Sequence, residues 1–192
     1  LRLKGDLSRF PFKDGSGIFE VKGPFRGAGL NYAPGWPQFE DVAGELEFVG
    51  ARMTIRARQG KLWGVALSDV KAEIADLESP DELMVITGTA KGPTADFLRF
   101  IEASPVGDRI DHFTEDMTAK GAGELRLKLD MPLQHVADTR VDGRYRFVAN
   151  SVVVDPDLPP LGEVNGELHF TGDRLEAQKI RALGLGAPMT ID

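Results

Sequence analysis

One segment of the sequence alternates charged and apolar side chains without a break: Glu124-Leu125-Arg126-Leu127-Lys128-Leu129-Asp130-Met131. Successive side chains of a β-strand point to opposite faces of its sheet. The segment therefore places its leucines and its methionine on one face and its charged groups on the other. This pattern predicts a strand in a sheet that has one apolar face and one wet face.

The same two-residue period recurs in other parts of the chain. It predicts strands at 45–48, 52–58, 69–74, 144–149 and 167–170, and in the 144–149 segment it places Tyr145, Phe147 and Ala149 on one side. The 22 glycines and 12 prolines fall between short segments of this kind, which is typical of tight turns. We therefore expect about a dozen antiparallel strands joined by turns.

The sequence also repeats itself. Shifting Leu30–Met53 by 122 residues places it on Val152–Leu175, and 9 of the 24 positions are identical. The identical positions include Pro34/Pro156 and Gly44/Gly166, so the copies share turn residues as well as apolar ones. Leu1-Arg2-Leu3-Lys4 recurs as Leu125-Arg126-Leu127-Lys128. The repeat predicts two copies of one β unit, at 1–67 and 125–192, the second one truncated.

The intervening segment, 68–124, has a different pattern. Leu83–Ala90 is apolar on both faces, which predicts a strand covered on both sides. A helix is predicted over Ala95–Ala103, because Gly92-Pro93-Thr94 precedes it and the acid Asp96 lies in its first turn, as in helices where they begin. A second helix is predicted over Asp108–Met117. The fold class is therefore mainly β with a small helical insert, an antiparallel repeated β-meander.

Composition excludes several classes of function. The net charge is −7 and the basic residues form no cluster, so nucleic acid is not an expected partner. There is no cysteine, which removes thiol catalysis and disulfides. His112, His135 and His169 are too widely spaced to predict a metal site. No catalytic motif is present, so we expect neither enzymatic activity nor a cofactor.

The apolar face of such a sheet needs a cover, and a short helical insert can hide only part of it. Three arrangements satisfy this requirement: a two-sheet sandwich, a sheet closed on itself, or a curled sheet whose apolar concave face holds something else. The alternation alone does not choose among them.

A series of short motifs, in a fixed order, carries a resemblance to a known family. Gly-x-Leu-x-Phe-x-Gly occurs at 44–50 and at 166–172. Thr87–Pro93 precedes the Phe97-Leu98-Arg99-Phe100 segment and Ser104-Pro105. Gly121–Leu127 then leads to Met131-Pro132-Leu133. In this order the chain resembles the central region of the YhdP branch of the AsmA-like family.

The resemblance implies a segment of a large protein of the Gram-negative envelope, anchored in the inner membrane by a helix outside this chain. Such a protein crosses the periplasm as a curved, repeating β-groove, carries phospholipid between the inner and outer membranes, and supports the outer-membrane permeability barrier. The implied partners are phospholipid acyl chains and the neighbouring β-repeats of the parent chain. The side chains expected to line the groove are the apolar ones of both copies: Leu46, Phe48, Met53, Ile55, Leu125, Leu127, Leu129, Tyr145, Phe147, Leu168 and Phe170.

Two other interpretations stay open at this point. The first is a non-enzymatic periplasmic structural or assembly scaffold with a closed β-sandwich core. The second is a carbohydrate-active β-enzyme, although no pair of carboxylates indicates one.

Overall fold

The computed structural model describes all 192 residues and contains one sheet of 11 strands. Two helices, α1 (Thr94–Glu102) and α2 (Val106–Arg109), connect β6 to β7. The strands are β1 (Arg2–Lys4), β2 (Ile18–Leu30), β3 (Phe39–Val49), β4 (Arg52–Leu62), β5 (Val65–Ile74), β6 (Leu83–Pro93), β7 (Thr118–Pro132), β8 (Arg140–Val153), β9 (Leu161–Thr171), β10 (Leu175–Gly184) and β11 (Ala187–Ile191).

Every strand pairs antiparallel with the strands next to it in sequence, so the spatial order is β1 to β11. Turns of two residues join β3 to β4, β4 to β5 and β10 to β11, and longer connections occupy 31–38, 75–82 and 154–160. The prediction of a mainly β antiparallel meander with a small helical insert is confirmed.

The repeat extends to the backbone. β2 begins at Ile18 and β8 at Arg140, 122 residues later, and the same interval separates the starts of β5 and β11. Equivalent residues also share unusual backbone conformations: Asp41 and Glu163 have φ of 51° and 52°. The two copies therefore carry the same irregularities at the same places. The division of the chain at 67/68 and 124/125 stays a prediction, and both points lie within strands.

The closed β-sandwich core is wrong for this chain, because there is no second sheet. β1 and β11 do not pair, so the sheet is not closed on itself either. Only 22 of the 192 residues are buried. The accessible surface is 12249 Å², whereas a compact monomer of this mass exposes about 9,000 Å². The chain is an open, curved sheet with no second sheet over its apolar face.

Three local expectations need correction. β6 is not covered on both sides: Leu83 is exposed, and Val85 pairs with Glu73 and Asp130 on the charged face. The second helix ends at Arg109 rather than continuing to Met117, because the turn that follows contains left-handed backbone at Asp111.

No helix of the chain has the length and apolar character that a membrane span requires.

The third correction concerns β8. Ala149 was expected beside Phe147 on the apolar side, but it adopts a φ of 49° and is exposed. The register shifts between Phe147 and Asn150, as it does in a β-bulge. The bulge turns Asn150, and not Ala149, to the interior.

Both ends of the sheet are unpaired strand edges. β1 covers only Ile18–Glu20 of β2, and the outer edge of β11 has no partner. Unpaired N–H and C=O groups of an edge recruit further strands. We expect concentration-dependent self-association of the chain through Leu1–Asp6, Ala187–Asp192 or both, measured by sedimentation velocity.

A charged side chain on an edge strand opposes such pairing. The variant Met189→Lys, on β11, should therefore weaken association at that edge, while Asp173→Lys in the β9–β10 turn should leave it unchanged. A chain that stays monomeric at all concentrations would contradict the expectation.

Candidate functional site

The apolar side chains of successive strands form one continuous surface, here called the apolar face. Residues paired across an antiparallel ladder point to the same side of the sheet. Leu46 pairs with Ile55, and Leu125 with Tyr145, which in turn pairs with Leu168. By this register all eleven residues predicted to line a groove share the face: Leu46, Phe48, Met53, Ile55, Leu125, Leu127, Leu129, Tyr145, Phe147, Leu168 and Phe170.

These side chains are sheltered mainly by one another. Tyr145 is buried, with 8% of its surface exposed, and the other ten are half-buried. Val21, Val70, Ala72, Met84 and Ile86 continue the face between them. The result is neither a sealed core nor a set of isolated apolar residues. Whether these residues contact a lipid stays a prediction.

Two aromatic rings lie flat on this face because glycines make room for them. Phe170 pairs with Gly143 across the ladder, and a Cβ on Gly143 would overlap the Phe170 ring. A Cβ on Gly123 would overlap the Tyr145 phenol in the same way. The rings therefore cover the neighbouring strand instead of standing upright. The two rings therefore project little from the sheet, and the apolar face stays shallow.

The opposite face is charged and is organised by cross-strand ion pairs. Arg144 contacts Glu167 at 3.0 Å, and Lys91 contacts Glu124 at 3.1 Å. Arg56 and Glu47 form a similar pair at 3.1 Å. Exposed pairs of this kind stabilise a protein by about 0–1 kcal/mol each. Their main consequence is that this face stays hydrated, so the two faces differ sharply in character.

Helix α1 lies against one end of the apolar face. Its Phe97 contacts Tyr145 of β8 edge-to-face, with ring centroids 5.1 Å apart. Phe100, one turn on, lies 5.8 Å from Trp36, which belongs to the connection between β2 and β3. In a flat sheet β3 and β8 would be separated by about 24 Å, whereas a nine-residue helix is about 14 Å long. The sheet must therefore curl towards its apolar face.

A buried polar network fixes the start of α1. The Tyr145 hydroxyl donates to Thr94 Oγ1 at 2.8 Å, and the Thr94 hydroxyl donates to Asn150 Oδ1. Asn150 Nδ2 donates to the carbonyls of Ala122 and Val148, and only 1% of Asn150 is exposed. Burial raises the pKa of Tyr145 to about 12. The hydrogen bond to Thr94 lowers this pKa, but by a smaller amount. All buried side-chain polar atoms are satisfied.

Residue patterns did not predict the role of this network or of the aromatic contacts to α1. Phe97, Phe100 and Ile101 have the spacing of an amphipathic helix face, which could have indicated a helix lying on the sheet. The burial of Asn150 could not be predicted, because a two-residue period does not reveal the bulge that turns its side chain inward. Trp36 and Trp63 lie in turns, where an apolar residue alone indicates nothing.

The structure contains no group of three or more His, Asp or Glu side chains arranged to hold a metal ion. His169 lies 3.2 Å from Asp142 on the charged face. His112 lies 3.3 Å from Glu102, and this hydrogen bond raises the pKa of the imidazole above its usual value. The chemistry that the chain offers at its apolar face is therefore contact with apolar groups.

A comparison with protein-family models matches the whole chain, residues 1–192, to the family described as YhdP protein. The chain belongs to the YhdP family. It is 27% identical over 188 residues to the intermembrane phospholipid transporter YhdP of Escherichia coli strain K12. That alignment covers 98% of this YhdP-family chain and 15% of the relative, so the chain spans a small part of the relative's length. No solved structure matches it.

The first site prediction concerns the glycine beneath Phe170. Gly143→Ala should destabilise the chain by about 1–3 kcal/mol, because the new methyl group displaces the ring. Gly23→Ala is the matched control: Gly23 is also on the apolar face, pairs with Leu46, and has open space where its Cβ would be. Urea unfolding measures both changes. Equal effects of the two substitutions would show that the ring does not depend on Gly143.

The second site prediction concerns the protonation of Tyr145. Its folded pKa of about 12 lies above the value near 10 of an unfolded chain. This contribution to stability is fully present below about pH 10 and is lost as the pH rises through 12. In a Tyr32→Phe background, in which Tyr145 is the only tyrosine, the ultraviolet absorbance of the phenolate should rise near pH 12. In urea it should rise near pH 10; a folded transition near pH 10 would contradict burial of the phenol.

Proposed function

We propose that this YhdP-family chain is a non-enzymatic segment of a hydrophobic β-groove that carries phospholipid between the inner and outer membranes. It would be a periplasmic part of a Gram-negative envelope protein whose inner-membrane anchor lies outside this chain, and its activity would support the outer-membrane permeability barrier. One observation carries the proposal: the apolar face continues from strand to strand and no second layer covers it.

The mechanism is partition of acyl chains onto this face. Removing one CH₂ group from water is worth about 0.8 kcal/mol, so even a partly covered acyl chain gains several kcal/mol. The half-buried leucines and aromatic rings would provide those contacts, while the head group stays in water at the open side. Nothing in this mechanism needs a covalent step or a cofactor.

The dimensions of the face suit a path rather than a single binding site. From β3 to β9 it crosses six strand intervals, about 29 Å, which is close to the thickness of a bilayer's hydrocarbon core. Its lining side chains are mostly half-buried and form a shallow surface. A lipid could therefore move from one ladder row to the next by exchanging similar contacts, and neighbouring repeats paired at the two edges would continue the path.

Placement of lipid on one face can be tested by photocrosslinking. A benzophenone amino acid at Leu127 or Phe170 should crosslink radiolabelled phospholipid in the parent protein in cells. The same amino acid at Arg126, next to Leu127, or at Glu167, three residues before Phe170, should not, because both positions lie on the charged face. Lipid on the gel-purified protein is the readout. Equal labelling of both faces, or none on either, would contradict a lipid path along the apolar face.

A paired substitution separates lipid transport from a purely structural role. Leu127 is only half-buried, so Leu127→Glu should reduce crosslinked or co-purifying lipid by about tenfold while the chain stays folded. Arg126→Ser is the matched control and should leave bound lipid unchanged. If Leu127→Glu unfolds the chain, or leaves its lipid content unchanged, the structural interpretation is favoured instead.

A further inference from the structure

Helix α1 is held by turn residues at the ends of the first-copy strands, namely Trp36, Trp63 and Gly64. We call this group the first cradle. Trp36 contacts Phe100, and the Arg99 guanidinium lies 3.9 Å above the centre of the Trp63 ring. The N–H of Gly64 donates to the carboxylate of Asp96 at 3.1 Å. A helix is thus held by two apolar side chains in turns and by one turn N–H.

The same cradle recurs one period later and is empty. Beside Trp36 lies Tyr32, with ring centroids 5.6 Å apart. Shifting Tyr32, Trp36 and Trp63 by 122 residues gives Val154, Leu158 and Leu185, which are all apolar. Their exposed fractions are 38%, 56% and 86%, whereas Trp63 beneath Arg99 is 38% exposed. The backbone agrees at the first turn residue, since Trp63 and Leu185 both have a φ of 52°, and differs at the second, where Gly186 has a φ of 81° and Gly64 is not left-handed. We call Val154, Leu158 and Leu185 the second cradle.

We propose that a second amphipathic helix of the same polypeptide, equivalent to α1 and lying about 122 residues after it, docks on the second cradle. The inference rests on the part of the proposed function that makes this chain one segment of a longer repeat protein. It does not depend on lipid transport. The relative from Escherichia coli, of which the chain covers 15%, has ample length for further repeats.

The first cradle specifies the chemistry of this helix. An acid in its first turn, equivalent to Asp96, would accept the N–H of Gly186. Bulky apolar side chains equivalent to Phe97 and Phe100 would point to the sheet and to Leu158. A long side chain at the position of Arg99 would cover Leu185. An amphipathic helix of this kind fits a cradle of separated apolar side chains around one donor better than an acyl chain does, because an acyl chain cannot accept the hydrogen bond.

The absence of cysteine makes the test direct. In the parent protein, freed of any other cysteine, Leu185→Cys should react with a maleimide about tenfold more slowly than Asp173→Cys, an exposed turn position at the other end of the strands. In urea the two rates should be equal. If Leu185→Cys reacts as fast as Asp173→Cys in the folded protein, nothing covers the second cradle and the proposal is wrong.

A second arm identifies the occupant. Serine at the two downstream positions that align with Phe97 and Phe100 should restore fast labelling of Leu185→Cys. The matched control, Phe97→Ser with Phe100→Ser in α1, should leave it slow.

Slow labelling that persists in the downstream variant and depends on protein concentration would assign the cover to a second copy. Slow labelling that is lost on removal of lipid by detergent would assign it to lipid. Either result overturns the proposal, and neither bears on the photocrosslinking of lipid at Leu127.

Discussion

No second layer covers the apolar face of this sheet, and each strand must therefore shelter its apolar side chains with those of its immediate neighbours. Exposed apolar surface costs about 25 cal/mol per Å², so the arrangement is tolerable only if the side chains cover one another closely. The flat rings of Tyr145 and Phe170, set over glycines, contribute to this cover. The backbone supplies the continuity: 95 of its 119 hydrogen bonds lie within helices and strands.

The same constraint explains the importance of register. A slip of one residue would turn the apolar side chains of a strand to the charged face. Ion pairs such as Arg144–Glu167, on the other side of the sheet, add a second condition that a slipped strand would violate. The bulges at Asp41 and Glu163 occur at equivalent points of the two copies. Both faces therefore specify one alignment of the strands, although neither contributes a large core.

Much of this architecture could be predicted from the sequence, because a two-residue period is a direct record of which side of a sheet a residue occupies. The period placed Leu125, Leu127 and Leu129 correctly, and it failed at Ala149, where a bulge inserts a residue. The helix over Asp108–Met117 failed for a related reason: three apolar positions satisfy a helical period, while left-handed backbone at Asp111 interrupts it. The position of α1 on the apolar face depends on tertiary contacts with Tyr145 and Trp36, which no local pattern contains.

The strand order of this sheet, identical to the order of the chain, gives the protein a modular length. One period adds six strands, β2 to β7, and lengthens the sheet by about 29 Å. Because six is an even number, the chain leaves each period in the direction in which it entered, and the face presented to one side is unchanged. Removing or inserting a hairpin would shorten or extend the sheet by about 10 Å without re-pairing any other strand. The length of the sheet can therefore be changed in equal steps of about 10 Å and matched to a gap of a given width.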